Sequence, residues 1–257
     1  MQLLLLLLAF FLPPRIMAGE IIGGHEAKPH SRPYMAFLQI RENGSVKRCG
    51  GFLIHEKFVL TAAHCAKRPQ HQEITVLLGA HNIKKQENTQ QVIRVKRAIP
   101  HPDYNPEKIT NDIMLLQLEE KAQLNKAVQL LMLPKDKTQV KPGTPCQVAG
   151  WGLLAPNGSS SNTLQEVEMT VQKDKVCETH FQKAYDSATE MCVGDPKIKK
   201  TSFKGDSGGP LMCNNVVQGI VSYGRSKGKT PRVYTKVSPF LDWIKQTMKH
   251  HRLQGAN

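Results

Sequence analysis

The stretch "KGDSGGPL", Lys204 to Leu211, decides how the rest of the chain is read. Ser207 stands here behind Asp206 and among Gly205, Gly208 and Gly209. Glycine at that density marks a tight turn with outward-facing backbone N–H groups. A serine hydroxyl is a poor nucleophile unless a base takes its proton and an acid holds that base in one tautomer. Two other stretches carry those residue types. "LTAAHC", Leu60 to Cys65, sets His64 at the end of an apolar strand, and "NDIMLLQL", Asn111 to Leu118, opens on Asp112 before a strongly apolar strand. Each alone is weak, since lone histidines are seldom catalytic and an aspartate at a strand end is more often a cap. Together they supply base, acid and nucleophile for acyl transfer. The Gly205 and Ser207 amides are the donors that could meet a developing oxyanion.

Short apolar or alternating runs recur along the chain: "MAFLQI", "GGFLIH", "FVLTAA", "EITVLLG", "QVIRVKRAI", "NDIMLLQL", "PCQVAGWG", "LQEVEMTVQ", "VVQGIVSYG" and "RVYTKV". Each is bounded by turn residues, which predicts an all-β sandwich or barrel. One segment reads differently. In "SPFLDWIKQTMKHH", Ser238 can cap, Pro239 can take the first helical position, and Phe240, Leu241, Ile244 and Met248 share a helical face. A C-terminal helix packed on a β scaffold is expected. The polar segment "PNGSSSN", Pro156 to Asn162, reads as an exposed loop. It carries one N-glycosylation sequon at Asn157, and Asn43 heads a second in "NGS".

The leucine-rich Met1 to Leu12, with small residues at Ala18 and Gly19, has the form of a secretory signal peptide over residues 1–18. That apolar run is too short to span ~30 Å of hydrocarbon, so no transmembrane segment is expected. The chain carries a net charge of +14, and removing residues 1–20 takes away only Arg15 and Glu20, which cancel. Such a charge favours polyanionic partners. In a secreted protein that points to sulfated proteoglycan, and no aromatic-interleaved pattern suggests specific nucleic-acid binding. Six cysteines in a secreted chain imply disulfides, three bridges having fifteen possible connectivities. No Cys-x-x-Cys or His/Cys cluster has zinc-like spacing, so neither metal nor cofactor is expected.

With "IIGG" at Ile21 to Gly24 and "VAGWG" at Val148 to Gly152, the pattern resembles a chymotrypsin-like serine protease over residues 21–257. The resemblance implies two packed six-stranded antiparallel β-barrels with a C-terminal α-helix. The N-terminal barrel would cover about residues 21–130, and the second barrel with the helix about 131–257. It implies His64, Asp112 and Ser207 as the catalytic triad and Gly205 and Ser207 as the oxyanion hole. It further implies a switch in which a new Ile21 amine pairs with Asp206. Residues 19–20, Gly19-Glu20, resemble the activation dipeptide of the granule-protease branch (granzymes, cathepsin G and mast-cell chymases), which a dipeptidyl peptidase removes. Cys49 would pair with Cys65, Cys146 with Cys213, and Cys177 with Cys192. The bridge that flanks the pocket in trypsin is missing, with Phe203 and the Gly228 region in its place, as in the granule-protease branch.

The same resemblance identifies the specificity pocket as Thr201 at its floor, Ser222, Tyr223 and Gly224 along its wall, and Arg232 at its back. Thr201 stands where trypsin-like members carry an aspartate, which removes the counter-charge for basic substrates. Arg232 heads "RVYTKV" and would offer donors suited to a carboxylate. Lys204 and Arg225 flank it, either as acid-favouring contacts or as solvated surface charges. The reading is an aspartate-directed endopeptidase of cytolytic granules that is secreted and reaches target-cell cytosol. There it would cut substrates such as procaspases and promote apoptosis, and serpin-type inhibitors would restrain it. Two alternatives stand beside it: a chymase-like enzyme with Arg232 turned outward, and a non-catalytic heparin- or surface-binding relative.

Overall fold

The computed structural model describes residues 21–66, 72–135, 139–225 and 228–253. The expected signal peptide (1–18), the expected activation dipeptide Gly19-Glu20 and the end of the basic tail (254–257) lie outside the described residues. After a short strand β1 (His25–Glu26) come β2 (Met35–Glu42), β3 (Ser45–His55), β4 (Phe58–Thr61), β5 (Glu73–Leu78), β6 (Gln91–Pro100) and β7 (Met114–Leu118). These last six close into a barrel in the order β2-β3-β4-β7-β6-β5. Its lumen is filled by Leu38, Phe52, Phe58, Leu60, Leu115 and Leu116, all at most 2 % exposed. Fully burying each such side chain is worth about 1.5–3 kcal/mol.

The second half holds β8 (Pro145–Gly150), β9 (Gln165–Thr170), helix α1 (Asp174–Phe181), β10 (Glu190–Val193), β11 (Pro210–Cys213), β12 (Val216–Gly224), β13 (Arg232–Lys236) and helix α2 (Leu241–Leu253). The sheet order is β1-β9-β8-β11-β12-β13-β10. A bridge between Val171 and Val193, with the bonds Gln172 N–H to Cys192 O and Gly194 N–H to Thr170 O (both 2.8 Å), brings the ends of β9 and β10 together. Six strands thus curl into a second barrel, and β1 adds a seventh outside it. The N-terminal segment is therefore not part of the first barrel. β1 pairs with β9 through His25–Glu166 and Glu26–Gln165, and Arg32 Nε donates to Glu166 at 2.7 Å.

The C-terminal helix crosses the other way. Phe240, Leu241 and Ile244 lie in the first-barrel core, the face expected from their spacing, and Met248 packs against it. Ser238 is not an N-cap: Ser238–Phe240 forms a 3-10 turn with no side-chain capping bond, and α2 begins at Leu241. Cys49–Cys65, Cys146–Cys213 and Cys177–Cys192 are all bridged.

Candidate active site

Between the barrels runs a cleft of about 830 Å³. His64 reaches it from a single 3-10 turn, Ala63–Cys65, that follows β4. Asp112 precedes β7 and is 1 % exposed. Its Oδ1 accepts the His64 backbone N–H at 2.8 Å, and its Oδ2 faces His64 Nδ1 at 2.7 Å. Ser222 Oγ donates to the same Oδ2 at 2.5 Å, and Thr235 Oγ1 donates to the Asp112 carbonyl at 3.0 Å. A buried carboxylate is thus oriented from both barrels, and it fixes the imidazole with Nδ1 inward and Nε2 toward the cleft.

Ser207 comes from the turn before β11, and its carbonyl accepts the Gly50 N–H at 2.7 Å across the barrel joint. The next residue shows how closely the barrels meet. A Cβ on Gly208 (φ +84°) would lie 2.1 Å from Thr61 Oγ1 and 2.4 Å from Gly50 O. This contact sets Ser207 against the strand end that carries His64. Among the described residues no hydrogen bond joins Ser207 Oγ to His64, a contact that often tightens only when substrate is bound. Within the turn the N–H groups alternate in use. Asp206 N–H donates to Phe203 O at 3.0 Å and Gly208 N–H to Val221 O at 2.8 Å. Those of Gly205 and Ser207 have no acceptor among the described residues.

Asp206 is fully buried. Its Oδ1 accepts the Gly152 N–H and its Oδ2 the Phe203 N–H, both at 2.8 Å. Burial pushes its carboxyl up to about 6, against the pull of those two amides and of Arg232. The "VAGWG" motif has a steric reason here, since a Cβ on Gly152 would lie 2.6 Å from the Asp206 carboxyl carbon. Ile21 is fully buried in the second-barrel core, and Thr201 N–H donates to Ile22 O at 3.0 Å. The N-terminal segment is thereby bonded to the loop that leads to Asp206.

Arg232 opens β13 opposite Gly224 of β12, and it is only 7 % exposed. Its Cζ lies 5.8 Å from the Phe203 ring centroid. On the other side it presses on Gly224, where a Cβ would come within 2.8 Å of Cζ. Its Nε and Nη1 are buried without an acceptor. Burial lowers its pKa, while Tyr234 and Asp206 pull it up. The side chain remains a cation at the base of the cleft, stacked on one ring and short of partners.

Thr201 does not line the cleft. It is fully buried, and its hydroxyl is turned to Ser202 O at 2.8 Å, so Phe203 and Arg232 form the base instead. Tyr223, Gly224, Lys204 and Arg225 do line it, as does Ser222. Asn43 and Asn157 are both exposed.

Three features went unread in the sequence. Phe203 is the platform under Arg232, although its place in the chain marked only a missing cysteine. Ile109 lines the cleft at φ +58°, a rare conformation for a β-branched residue and invisible to residue-type reading. Glu190 is 1 % exposed, and its Oε2 accepts Tyr223 Oη at 3.0 Å and Asp186 N–H at 2.9 Å. Burial pushes its carboxyl up to about 7 despite those donors. A single glutamate in the polar run "SATEMC" gives no signal of such a role.

The trypsin family profile matches residues 21–244. Granzyme B of Homo sapiens is 66 % identical over 251 residues, covering 98 % of this chain and 100 % of that protein. Granzyme B of Rattus norvegicus is 62 % identical, covering 97 % of this chain and 99 % of that protein. Granzyme H of Homo sapiens is also 62 % identical with the same coverage. A solved structure described as "Structure of GrC" superposes with a TM-score of 0.85 at 56 % identity, covering 90 % of this chain and 100 % of that one.

Proposed function

Because this chain belongs to the trypsin family of serine proteases and has granzymes among its near relatives, we propose that it is an endopeptidase that cleaves after aspartate. The observation that carries the specificity is Arg232: a guanidinium at the base of the cleft with two buried nitrogens lacking acceptors. A carboxylate entering there would bring an acceptor to a guanidinium that has donors to spare, and a charge-assisted hydrogen bond of that kind is about twice as strong as a neutral one. Two unit charges at about 4 Å attract by on the order of 4 kcal/mol at an effective dielectric near 20, before desolvation. Even a third of that gives about tenfold discrimination. Arg232 also fills space that a large aromatic would need, and the shorter aspartate fits the remainder better than glutamate.

In the proposed reaction His64 takes the proton of Ser207, whose Oγ attacks the scissile carbonyl carbon. Asp112 stabilises the imidazolium that forms. The unused amides of Gly205 and Ser207 receive the oxyanion, each such donor being worth about 3 kcal/mol of barrier. His64 then passes its proton to the leaving amine. Water hydrolyses the acyl-enzyme by the same steps in reverse. Activation would free the Ile21 amine after a dipeptidyl peptidase removes Gly19-Glu20, and that ammonium would pair with Asp206. The elevated Asp206 carboxyl supports this, because the pull of Arg232 does not offset its burial and a second cation supplied later would stabilise the charged form.

The cellular reading follows from the relatives and the charge: storage in cytolytic granules on sulfated proteoglycan, secretion, and entry to target-cell cytosol. There cleavage of procaspases would promote apoptosis, subject to serpin-type inhibitors. The deciding experiment is a peptide panel varied only at the residue before the scissile bond. Aspartate should be preferred at least about tenfold over glutamate, phenylalanine, leucine and lysine. Arg232→Gly should abolish aspartate cleavage and keep the catalytic serine reactive to a fluorophosphonate. Preference for phenylalanine or leucine in the native protein would sink the aspartate reading in favour of a chymase-like one.

A further inference from the structure

We propose that Asn157 carries an N-linked glycan that screens the rim of the active-site cleft, slowing attack on folded proteins while leaving short peptides free to enter. The proposal rests on the reading of this cleft as the proteolytic site. Asn157, Gly158 and Ser159 form a sequon, and all three are exposed. They sit at the tip of a small hairpin. Leu153 pairs with Ser160, Leu154 N–H donates to Ser159 O at 3.2 Å, and Gly158 N–H donates to Ala155 O at 3.0 Å. The base of this hairpin is fixed to the site itself. Leu153 N–H donates to Lys204 O at 2.7 Å, and Arg48 Nη1 donates to Ser160 Oγ at 3.0 Å. Asn157 and Pro156 consequently line the same cleft as His64 and Lys204.

The chemistry needs an accessible asparagine amide in a turn, with a hydroxyl residue two positions on, in a chain that passes through the secretory pathway. The co-reactant is a lipid-pyrophosphate-linked oligosaccharide. Asn157 Nδ2 forms a bond to the anomeric carbon, the carbon–oxygen bond to pyrophosphate breaks, and Nδ2 loses one proton to the transferase base. Nothing is oxidised or reduced. A glycan attached at the hairpin tip is large, hydrated and tethered on a fixed base beside the cleft. It therefore sweeps the volume that the body of a folded substrate must occupy, whereas a short peptide lies beneath it. The second sequon supplies a contrast. Asn43 lies in the turn between β2 and β3, does not line the cleft, and its Ser45 hydroxyl is bonded to Glu42 O at 2.8 Å.

The test uses full-length protein secreted from mammalian cells, activated by dipeptide removal. Mass spectrometry of the proteolytic peptide containing Asn157 should find it glycosylated. Ser159→Ala, which removes the sequon and keeps Asn157, should raise kcat/KM on a folded protein cut at an exposed loop by at least about threefold. The same variant should leave kcat/KM on a short peptide anilide unchanged, with the same residue before the scissile bond in both substrates. Asn43→Gln should alter neither rate. If Ser159→Ala folds poorly, endoglycosidase trimming of the wild-type glycan to its first sugar is the equivalent measurement. An unmodified Asn157, or a glycan whose removal changes both rates alike or neither, overturns the proposal. A different preferred residue before the scissile bond would refute only aspartate specificity. Failure of both forms to cut any peptide would refute the protease reading and the screening role with it.

Discussion

Ser222 shows how one side chain can serve two parts of a site. It lies on β12 beside Tyr223 and Gly224 on the cleft wall, and its hydroxyl also donates to Asp112 Oδ2 at 2.5 Å. That oxygen is the one facing His64 Nδ1, so Ser222 helps keep the carboxylate in the plane of the ring. A hydrogen bond to a charged acceptor contributes about 1.5–3 kcal/mol. Ser222→Ala should therefore lower kcat/KM by about one to two orders of magnitude, mainly through kcat, in steady-state peptide assays. An unchanged kcat would show that His64 alone holds Asp112 in place. The sequence offered Ser222 only as pocket wall. Its second bond reaches from β12 to a residue 110 positions earlier, and residue type carries no trace of such a pairing. Glycine-rich or apolar surroundings single out His64, Asp112 and Ser207 in the sequence, and the structure brings the imidazole of His64 onto the Asp112 carboxylate. Thr201 was misplaced because its role came from a position in a motif, whereas its hydroxyl is turned to the backbone of Ser202.

At the scale of elements, the ten quoted apolar runs fall on β2 to β9, β12 and β13, where length and turn punctuation make a strand readable. β10 ("EMCV") and β11 ("PLMC") escaped because each is only four residues long and opens on Glu190 or Pro210, so neither presents the unbroken apolar run that marks the equally short β4. Helix α1 escaped for the opposite reason: only Cys177 among its eight residues is buried, so it has no apolar stripe. It is attached through Cys177–Cys192 to β10, by Val176 and Phe181 packed against the cluster of Tyr185 and Val233, and by Tyr185 Oη, which donates to Asp174 and to Glu190 O. The bridge closes a loop with a sequence separation of 15, a length for which cross-linking contributes about 3 kcal/mol. The double variant Cys177→Ala, Cys192→Ala should lose about that much in urea unfolding. Since β10 carries Glu190, which holds the Tyr223 wall, its peptide KM should rise more than its kcat falls. Equal stability with and without the bridge would mean that α1 is held by noncovalent packing.

The whole molecule is clasped by its ends, with β1 on the second sheet and α2 on the first barrel, and two buried carboxyls, Asp206 and Glu190, should govern how its stability depends on pH. In the chain with residues before Ile21 still attached, Asp206 is pushed from its ordinary 3.8 up to about 6. A raised acid binds its proton more tightly in the folded state, so stability falls as pH rises from about 3.8 to about 6 and is level above that. Glu190, pushed from 4.5 up to about 7, acts in the same direction over its own window. Freeing the Ile21 amine would reverse the sign for Asp206 alone. An ammonium partner depresses the carboxyl, so its contribution is then present at neutral pH and lost as pH falls. The amine, raised above its unfolded value of about 8, loses its contribution as pH climbs through the folded value. The gap in Tm between activated and precursor protein should thus be largest near neutral pH and shrink toward acid and alkali. Asp206→Asn should flatten it, and Glu190→Gln should leave it unchanged while stabilising both forms above about pH 7. A gap independent of pH in the native protein would remove the Ile21–Asp206 pair as the switch.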